Sequence, residues 1–386
     1  MPLQTNPPLP VRAPFAEVDI GPNEVALLRD GAQAYPAMLE AIAAAQATIC
    51  LQTYILREDT TGRRFAAALC ERARAGVEVS LMYDDWGSNV SEPFLFQLRS
   101  AGVRTLAFRP VRWTGRMADL LNRLRQRNHR KSLVVDGKVA FTGGLNISDD
   151  YAAVEDGGHG WRDTHVRVRG PAAVELERLF LDSWRRHKGA PLDEARYQRP
   201  AYAPDRRVRF LGNDFHHDRK DIRRAYLEAL TAAKRRIHLT HAYFVPPARL
   251  LRELAKAARR GVDVSVILAA STDVKLTLYA ARGLYGKLLA AGVRVFEWNG
   301  RVLHAKTAVV DGEWVTVGST NLDHLSLRRN LEVNALFEDS RLGAHAEDMF
   351  NQDLYQCEQV TLEAWRNRPL LEQVLSWLTY RLRSWL

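Results

Sequence analysis

A chain of 386 residues, 46% of them hydrophobic, can bury two or three cores, which excludes a largely disordered polypeptide. The net charge of +10 favours anionic partners such as nucleic acid or acidic lipid, without choosing between them. The three cysteines, Cys50, Cys70 and Cys357, lack metal or redox spacing and read as reduced core residues. Residues 1–20 are Pro-rich and carry Glu17 and Asp19, so they read as an irregular segment and not as a signal peptide. The longest uncharged run, Ala41 to Leu56, contains Gln46, Thr48, Gln52 and Thr53; it predicts a helix feeding a strand, and no bilayer-spanning segment is expected.

Residues 21–188 then predict a first α/β domain. A helix over Phe65 to Ala73 ends at Gly76 and leads into a strand over Val77 to Tyr83; Ala101-Gly102-Val103 repeats the helix stop before another apolar run. From Arg109 to Lys131 eight basic residues face a single acid, Asp119, and Met117, Leu120, Leu121 and Leu124 fall at helical spacing. That predicts a basic amphipathic helix, either lipid-facing or packed by its leucines. Residues 189–206, with Pro191, Pro200 and Pro204, read as a linker. The second domain, over 207–360, repeats the first: a helix over Leu250 to Arg259, a strand over Val262 to Leu268, and a Gly stop at Gly292. Alternation of this kind predicts two α/β domains, each a mixed or mainly parallel sheet flanked by helices. Residues 361–386 predict an amphipathic helix whose stripe is Leu371, Val374, Leu375, Leu378, Leu382 and Trp385, flanked by Trp377, Tyr380, Arg381 and Arg383.

The strongest signal is a duplication. His129-Arg-Lys131-Ser-Leu-Val-Val-Asp136 recurs as His304-Ala-Lys306-Thr-Ala-Val-Val-Asp311, and each copy continues to a small-residue turn ending in asparagine, Gly143-Gly144-Leu145-Asn146 and Gly318-Ser319-Thr320-Asn321. On a strand, His and Lys two residues apart share one face. A neutral imidazole can attack phosphorus while the ammonium neutralises a non-bridging oxygen, and a second imidazole can protonate the leaving oxygen. One copy supplies half of such a site; two copies facing each other across a pseudo-two-fold complete it. A lysine cation beside each histidine opposes a divalent ion, so neither a metal nor another cofactor is expected.

These two copies resemble the HKD motifs of the phospholipase D superfamily, and the resemblance covers nearly the whole chain. Asn128 to Ile147, Trp161-Arg-Asp-Thr-His165, Ala242-Tyr-Phe-Val-Pro-Pro247, Gly318 to Asp323 and Asn330 to Asn334 are most similar to bacterial cardiolipin synthases, of the short branch without amino-terminal membrane helices. The resemblance implies paired histidines and a covalent phosphohistidine, with His129 as nucleophile and His304 as general acid then base. It implies that Lys131, Lys306, Asn146 and Asn321 hold phosphate oxygens. It also implies that Asp163 orients His304 and Glu332 orients His129, each carboxylate serving the opposite half. Asp136 and Asp311 complete the catalytic motif set, although five residues along a strand separate them from the histidines and favour a structural part.

Tyr54 and Tyr243, at corresponding strand ends, are candidate headgroup contacts, and Asp84, Asp85 and Asp273 could meet glycerol hydroxyls. His159, His165, His216, His217 and His241 have no repeated partners and read as surface or packing residues. The expected activity is transfer of a phosphatidyl group between two phosphatidylglycerol molecules, giving cardiolipin and glycerol. Hydrolysis to phosphatidic acid and, less well supported, a phosphodiesterase nuclease are the alternatives. Expected partners are anionic phospholipid and a membrane surface, with no nucleic acid and no obligate protein partner. The expected location is the cytoplasmic face of the bacterial inner membrane, peripherally.

Overall fold

The computed structural model describes residues 15–110, 126–199, 205–214, 219–272 and 274–381. Most of the basic stretch 109–131, together with Asp273, His216, His217, Leu382, Arg383 and Trp385, lies outside the described residues.

Each half of the chain builds one sheet. The first contains β1 (Val18–Ile20), β2 (Asn23–Arg29), β3 (Thr48–Thr53), β4 (Glu78–Asp84), β5 (Arg104–Phe108), β6 (Ser132–Val135), β7 (Val139–Gly143) and β8 (Thr164–Arg169), in the order β1-β2-β8-β7-β6-β3-β4-β5. The second contains β9 (Val208–Asp214), β10 (Arg219–Lys220), β11 (Arg236–His241), β12 (Asp263–Ala269), β13 (Arg294–Trp298), β14 (Lys306–Val310), β15 (Trp314–Gly318), β16 (Glu332–Glu338) and β17 (Cys357–Val360), in the order β10-β9-β16-β15-β14-β11-β12-β13-β17. Without their edge strands the two orders are the same. The registers agree too: Ile49 lies opposite Val135 as Ile237 lies opposite Val310.

Both sheets are mixed. Parallel pairing is confined to β3-β4-β5 and β11-β12-β13, where helices such as α2 (Thr60–Arg74) and α6 (Ala248–Arg259) make the crossovers. The motif strands run antiparallel to their neighbours, so the sheets are less parallel than the helix–strand alternation implied. The physical reason is the turn after each motif. Asp136 and Gly137 both have positive φ (54° and 62°), as do Asp311 and Gly312 (55° and 69°), which is the backbone of a tight hairpin return and leaves no room for a crossover helix.

Asp136 and Asp311 pin those turns. The Asp136 carboxylate accepts the backbone N–H groups of Gln46, Ala47 and Thr48 at 2.7–2.9 Å, and Asp311 accepts those of Lys234, Arg235 and Arg236 at 2.7–3.0 Å. Each aspartate therefore ties the hairpin to the start of the neighbouring strand, at the end of the strand away from its histidine.

A continuous buried cluster joins the two halves. It includes Val18, Val25, Val166 and Val168 from the first sheet and Val315, Val317, Val333 and Phe337 from the second. The described part of the expected linker is strapped to the first half: Tyr197 is buried, and Arg199 pairs with Glu177 at 2.6 Å.

At the carboxyl end, α11 (Leu370–Arg381) lies across α7 (Lys275–Ala290). The crossing is so close that a Cβ on Gly283 would stand 2.7 Å from the Ser376 carbonyl oxygen. Ser376 and Thr379 are buried there, and Arg282 reaches Glu372 at 3.2 Å. Leu370, Leu371, Val374, Trp377 and Leu378 point away and are 47–78% exposed. The helix thus docks by its small polar side and presents its apolar side outward.

Asp311→Ala removes three hydrogen bonds to backbone N–H groups and the side chain that tolerates positive φ. It is expected to lower unfolding stability by about 1–3 kcal/mol in denaturant titration while the folded fraction keeps its turnover number. A normal stability with a lost turnover number would instead make Asp311 part of the chemistry.

Candidate active site

The duplicated histidines stand just before β6 and β14, and the backbone that flanks each comes from the opposite half. Leu331 N donates to Arg127 O and His129 N donates to Leu331 O, both at 2.9 Å; Arg162 N donates to Val302 O at 2.8 Å and His304 N donates to Arg162 O at 2.7 Å. These two short parallel bridges, Asn128 with Leu331 and Arg162 with Leu303, bring His129 level with Glu332 and His304 level with Asp163.

The side chains then meet. His129 Nδ1 lies 3.1 Å from both Glu332 carboxylate oxygens, and His304 Nδ1 lies 2.7 Å from Asp163 Oδ2. Both carboxylates are fully buried, and the imidazoles are nearly so. A carboxylate facing Nδ1 selects the tautomer protonated there, which leaves the Nε2 lone pair for chemistry. Glu332 also accepts the Ser319 hydroxyl, and Asp163 accepts the Thr164 N–H at 2.7 Å. The two holders are matched to their turns: a Cβ on Gly144 would fall 2.1 Å from Asp163 Oδ1, whereas its counterpart Ser319 offers a hydroxyl to the longer Glu332.

Lys131 and Lys306 enter the same space. Lys131 Nζ donates to the His129 carbonyl at 2.8 Å and stands 5.1 Å from the Tyr54 ring centre; Lys306 Nζ donates to the His304 carbonyl and stands 5.7 Å from the Tyr243 ring centre. An ammonium carries three N–H donors. Tyr54 packs edge-on to His129 at 4.9 Å, and Tyr243 edge-on to His304 at 6.1 Å.

Burial and the two lysines set the electrostatics of the site. Burial lowers the His129 pKa, against the pull of Glu332, and both lysines lower it further. His304 is pushed down to about 4 by burial and by Lys306, with Asp163 opposing. Lys131 is driven well below its ordinary value by burial, Glu332 opposing and Lys306 repelling it. Burial pushes Asp163 and Glu332 up, but the facing histidines and lysines outweigh it and hold both below the usual carboxylate range. Each motif feels the other's lysine, so the two copies share one space.

The asparagines differ. Asn146 is committed on both sides: its Oδ1 accepts the Ile55 N–H at 3.0 Å and its Nδ2 donates to the Tyr151 hydroxyl at 2.7 Å. Asn321 Oδ1 is buried without a hydrogen-bond partner. Asp136 and Asp311 do not join this space, as described above. Asp84 is a correction: it is buried and its oxygens accept Arg127 at 2.5–3.0 Å and the Asn128 N–H at 2.9 Å, so it anchors the start of the motif and is not open to a hydroxyl. His165 and His241 are packed inside, and burial pushes them to about 4 and about 3; His159 is exposed.

Three neighbours escaped the sequence reading. Tyr151 and Trp161 lie 5.3 and 6.1 Å from His304, which with Tyr243 gives that histidine three aromatic neighbours among the described residues. Ser319 is the third, and the Gly144/Ser319 mismatch between otherwise matched turns was its signal. Among the described residues no group of three or more His, Cys, Asp or Glu is placed to hold a metal ion.

Two pseudo-equivalent α/β halves presenting crossed histidine–carboxylate pairs and two buried lysines define a phosphodiester-processing enzyme of the phospholipase D type. Residues 38–158 and 226–354 both match the family model described as cardiolipin synthase, PLD-like domain. Cardiolipin synthase B of Salmonella typhi is 40% identical over 328 residues, covering 82% of this chain and 77% of that protein. A cardiolipin synthase of Geobacillus sp. is 34% identical over 357 residues, covering 92% and 70%. The crystal structure of a phosphatidylserine synthase from Haemophilus influenzae shares the fold, with a TM-score of 0.74 at 14% identity over 97% of both chains. The chain belongs to the PLD-like cardiolipin synthase family.

Ser319→Ala removes a hydrogen bond that holds Glu332 ionised and aimed. Turnover is expected to fall on the order of ten-fold with KM unchanged, and the acid limb of the pH–rate profile to move to higher pH, because that bond lowers the Glu332 pKa. An unshifted profile would limit Ser319 to packing.

Proposed function

We propose that this enzyme transfers a phosphatidyl group from one phosphatidylglycerol to a hydroxyl of a second, making cardiolipin and releasing glycerol through a phosphatidyl-histidine. The observation that carries the reading is the pair of crossed histidine–carboxylate contacts with two buried lysines between them. The names of the relatives support the choice of lipid.

In the first step His129 Nε2 attacks phosphorus; the P–N bond forms, the P–O bond to glycerol breaks, and His304 gives its proton to the leaving oxygen. His304 takes up this proton from solvent as the anionic substrate binds. In the empty site burial and Lys306 hold this imidazole neutral, with a pKa of about 4. A phosphodiester anion between the lysines offsets their repulsion, and Asp163 then supports the imidazolium. In the second step His304 takes the proton of the acceptor hydroxyl, whose oxygen attacks phosphorus as the P–N bond breaks. Lys131, Lys306 and Asn321 hold the non-bridging oxygens, while Tyr54 and Tyr243 flank them. Asn146, tied to Ile55 and Tyr151, shapes the wall.

His129→Ala and His304→Ala should each lower turnover by 10²–10⁴-fold in a folded protein, since a lost acid, base or nucleophile costs at least that much. With an activated leaving group, His304→Ala should accumulate a covalent adduct that mass spectrometry finds on His129; an adduct on another residue reverses the roles. Resolving products from labelled phosphatidylglycerol tests transfer itself: phosphatidic acid in place of cardiolipin makes the enzyme a hydrolase.

Membrane contact is the second part of the proposal, with the cytoplasmic face as the side. Among the described residues no helix is long and apolar enough to cross a bilayer. The outward face of α11 supports peripheral contact instead. Leu371, Val374 and Leu378 of the predicted stripe are exposed, Leu375 is half-buried, and Arg381 lies over the Trp377 ring at 4.1 Å. Aliphatic and aromatic side chains beside arginine suit an anionic lipid interface. Each inserted side chain contributes roughly 1.5–3 kcal/mol at best. Deleting the helix would uncover α7, so substitution is the cleaner test. Leu371→Ser/Val374→Ser/Trp377→Ser should weaken sedimentation with phosphatidylglycerol vesicles at least ~10-fold, leaving the melting temperature and turnover of a soluble short-chain substrate unchanged. Unchanged vesicle binding removes α11 as the contact.

A further inference from the structure

Three arginines from three helices meet on the second half, away from the two histidines. Arg223 belongs to the first turn of α5 (Asp221–Ala232), Arg249 to the first turn of α6, and Arg328 ends α8 (His324–Arg328). Their proximity shows in Arg223, whose pKa is lowered by burial and then by Arg328 and Arg249.

Like charges held together call for a counter-charge, and the neighbouring acids pair with other cations of the same surface. Asp221 and Glu228 pair with Arg224 at 2.9 and 3.9 Å, and Glu253 pairs with Lys256 at 3.0 Å. Among the described residues none of the three arginines forms an ion pair, and Arg223 Nε is buried without a hydrogen-bond acceptor. Beside them opens a cleft of about 690 Å³ in whose wall Lys220, Arg223, Arg224 and Arg249 outnumber the one carboxylate, Glu228. The amino termini of α5 and α6 both border it, and neither carries a side-chain cap, so their positive ends add to the field.

We propose that this cleft is a second anion site, holding the phosphate of an anionic phospholipid apart from the reaction centre. Guanidinium groups match phosphate oxygens, and Leu227 and Ala232 give the cleft an apolar wall for the start of an acyl or glycerol chain. The choice of a lipid over free phosphate rests on the proposed substrate class; the anion site itself does not. Such a site would hold the enzyme on anionic membrane independently of turnover.

The test uses the full chain. Arg223→Gln/Arg249→Gln should weaken binding to phosphatidylcholine vesicles containing phosphatidylglycerol by about five-fold per arginine. Binding to pure phosphatidylcholine vesicles and turnover of a monomeric short-chain substrate should stay within about two-fold of wild type, and Arg223→Lys, which keeps the charge, should retain most of the binding. Arg249, exposed, also serves as a single variant if substitution at the half-buried Arg223 disturbs folding. Unchanged binding to the anionic vesicles overturns the proposal. Calorimetry with inorganic phosphate separates the sources: lost phosphate binding with intact vesicle binding would make this a soluble-phosphate site and overturn the lipid assignment. If neither form makes cardiolipin, the transfer reading fails, yet the vesicle comparison still decides the anion site.

Discussion

Each reactive imidazole in this protein is oriented by a carboxylate that belongs to the other half of the chain, and that crossing constrains the rest of the structure. His129 depends on Glu332 and His304 on Asp163, so the halves must approach within hydrogen-bond distance at two points simultaneously. The shared apolar cluster supplies the area for that approach. Buried polar contacts fix its register: Arg162 of the first half binds Asp353 of the second at 2.7–3.1 Å, and Arg130 donates to the carbonyl oxygens of Glu332 and Asn213 at 3.1 Å. A nonpolar interface alone would tolerate small slips. Removing one partner of such a buried ion pair typically costs about 3–5 kcal/mol, so the register is held more firmly than burial of apolar area would hold it.

Within that symmetric frame the two halves have diverged around the site. Asp163 reaches its histidine through the space left by Gly144, whereas the longer Glu332 is steadied by the Ser319 hydroxyl. His304 sits among Tyr151, Trp161 and Tyr243, while His129 has Tyr54 beside it. Asn146 is committed to Ile55 and Tyr151, but Asn321 retains an unmatched oxygen. A reaction in which one imidazole bonds to phosphorus and the other shuttles a proton to an alcohol needs two unlike environments. The differences around the motifs are of that kind.

The duplication made much of this legible in the sequence. The repeated motif and turn pointed to two α/β halves, and the resemblance to the phospholipase D superfamily implied the crossed pairs at 163 and 332. What stayed hidden depends on distance in sequence without repetition. Asp84 looked like a free strand-end carboxylate until Arg127, which follows three strands' worth of chain later, was found to consume it. Of the mixed and mainly parallel sheets that the alternation allowed, the mixed form is the one present; an apolar run does not reveal its neighbour's direction, whereas the positive-φ turns at Asp136 and Asp311 do. The tail's apolar stripe was readable, but which side of the helix docks was set by Gly283 and Arg282 on α7, a contact that periodicity within the tail cannot show. For the same reason Arg223, Arg249 and Arg328 form no pattern along the chain.

The charges in the site link binding to protonation. Two buried carboxylates face two buried ammonium groups, and the imidazoles, both held low by burial and by those lysines, are neutral. That set is balanced as it stands. A phosphodiester entering between the lysines adds one negative charge in a place with little water to screen it, and the least costly compensation is a proton on an imidazole already backed by a carboxylate. On the proposed mechanism that imidazole is His304, so the anion that binds also arms the acid that expels its alcohol. A neutral occupant would leave His304 unprotonated and the acid unarmed. The same lysines that disfavour a charged imidazole in the empty site therefore help to confine the chemistry to anionic phosphodiesters.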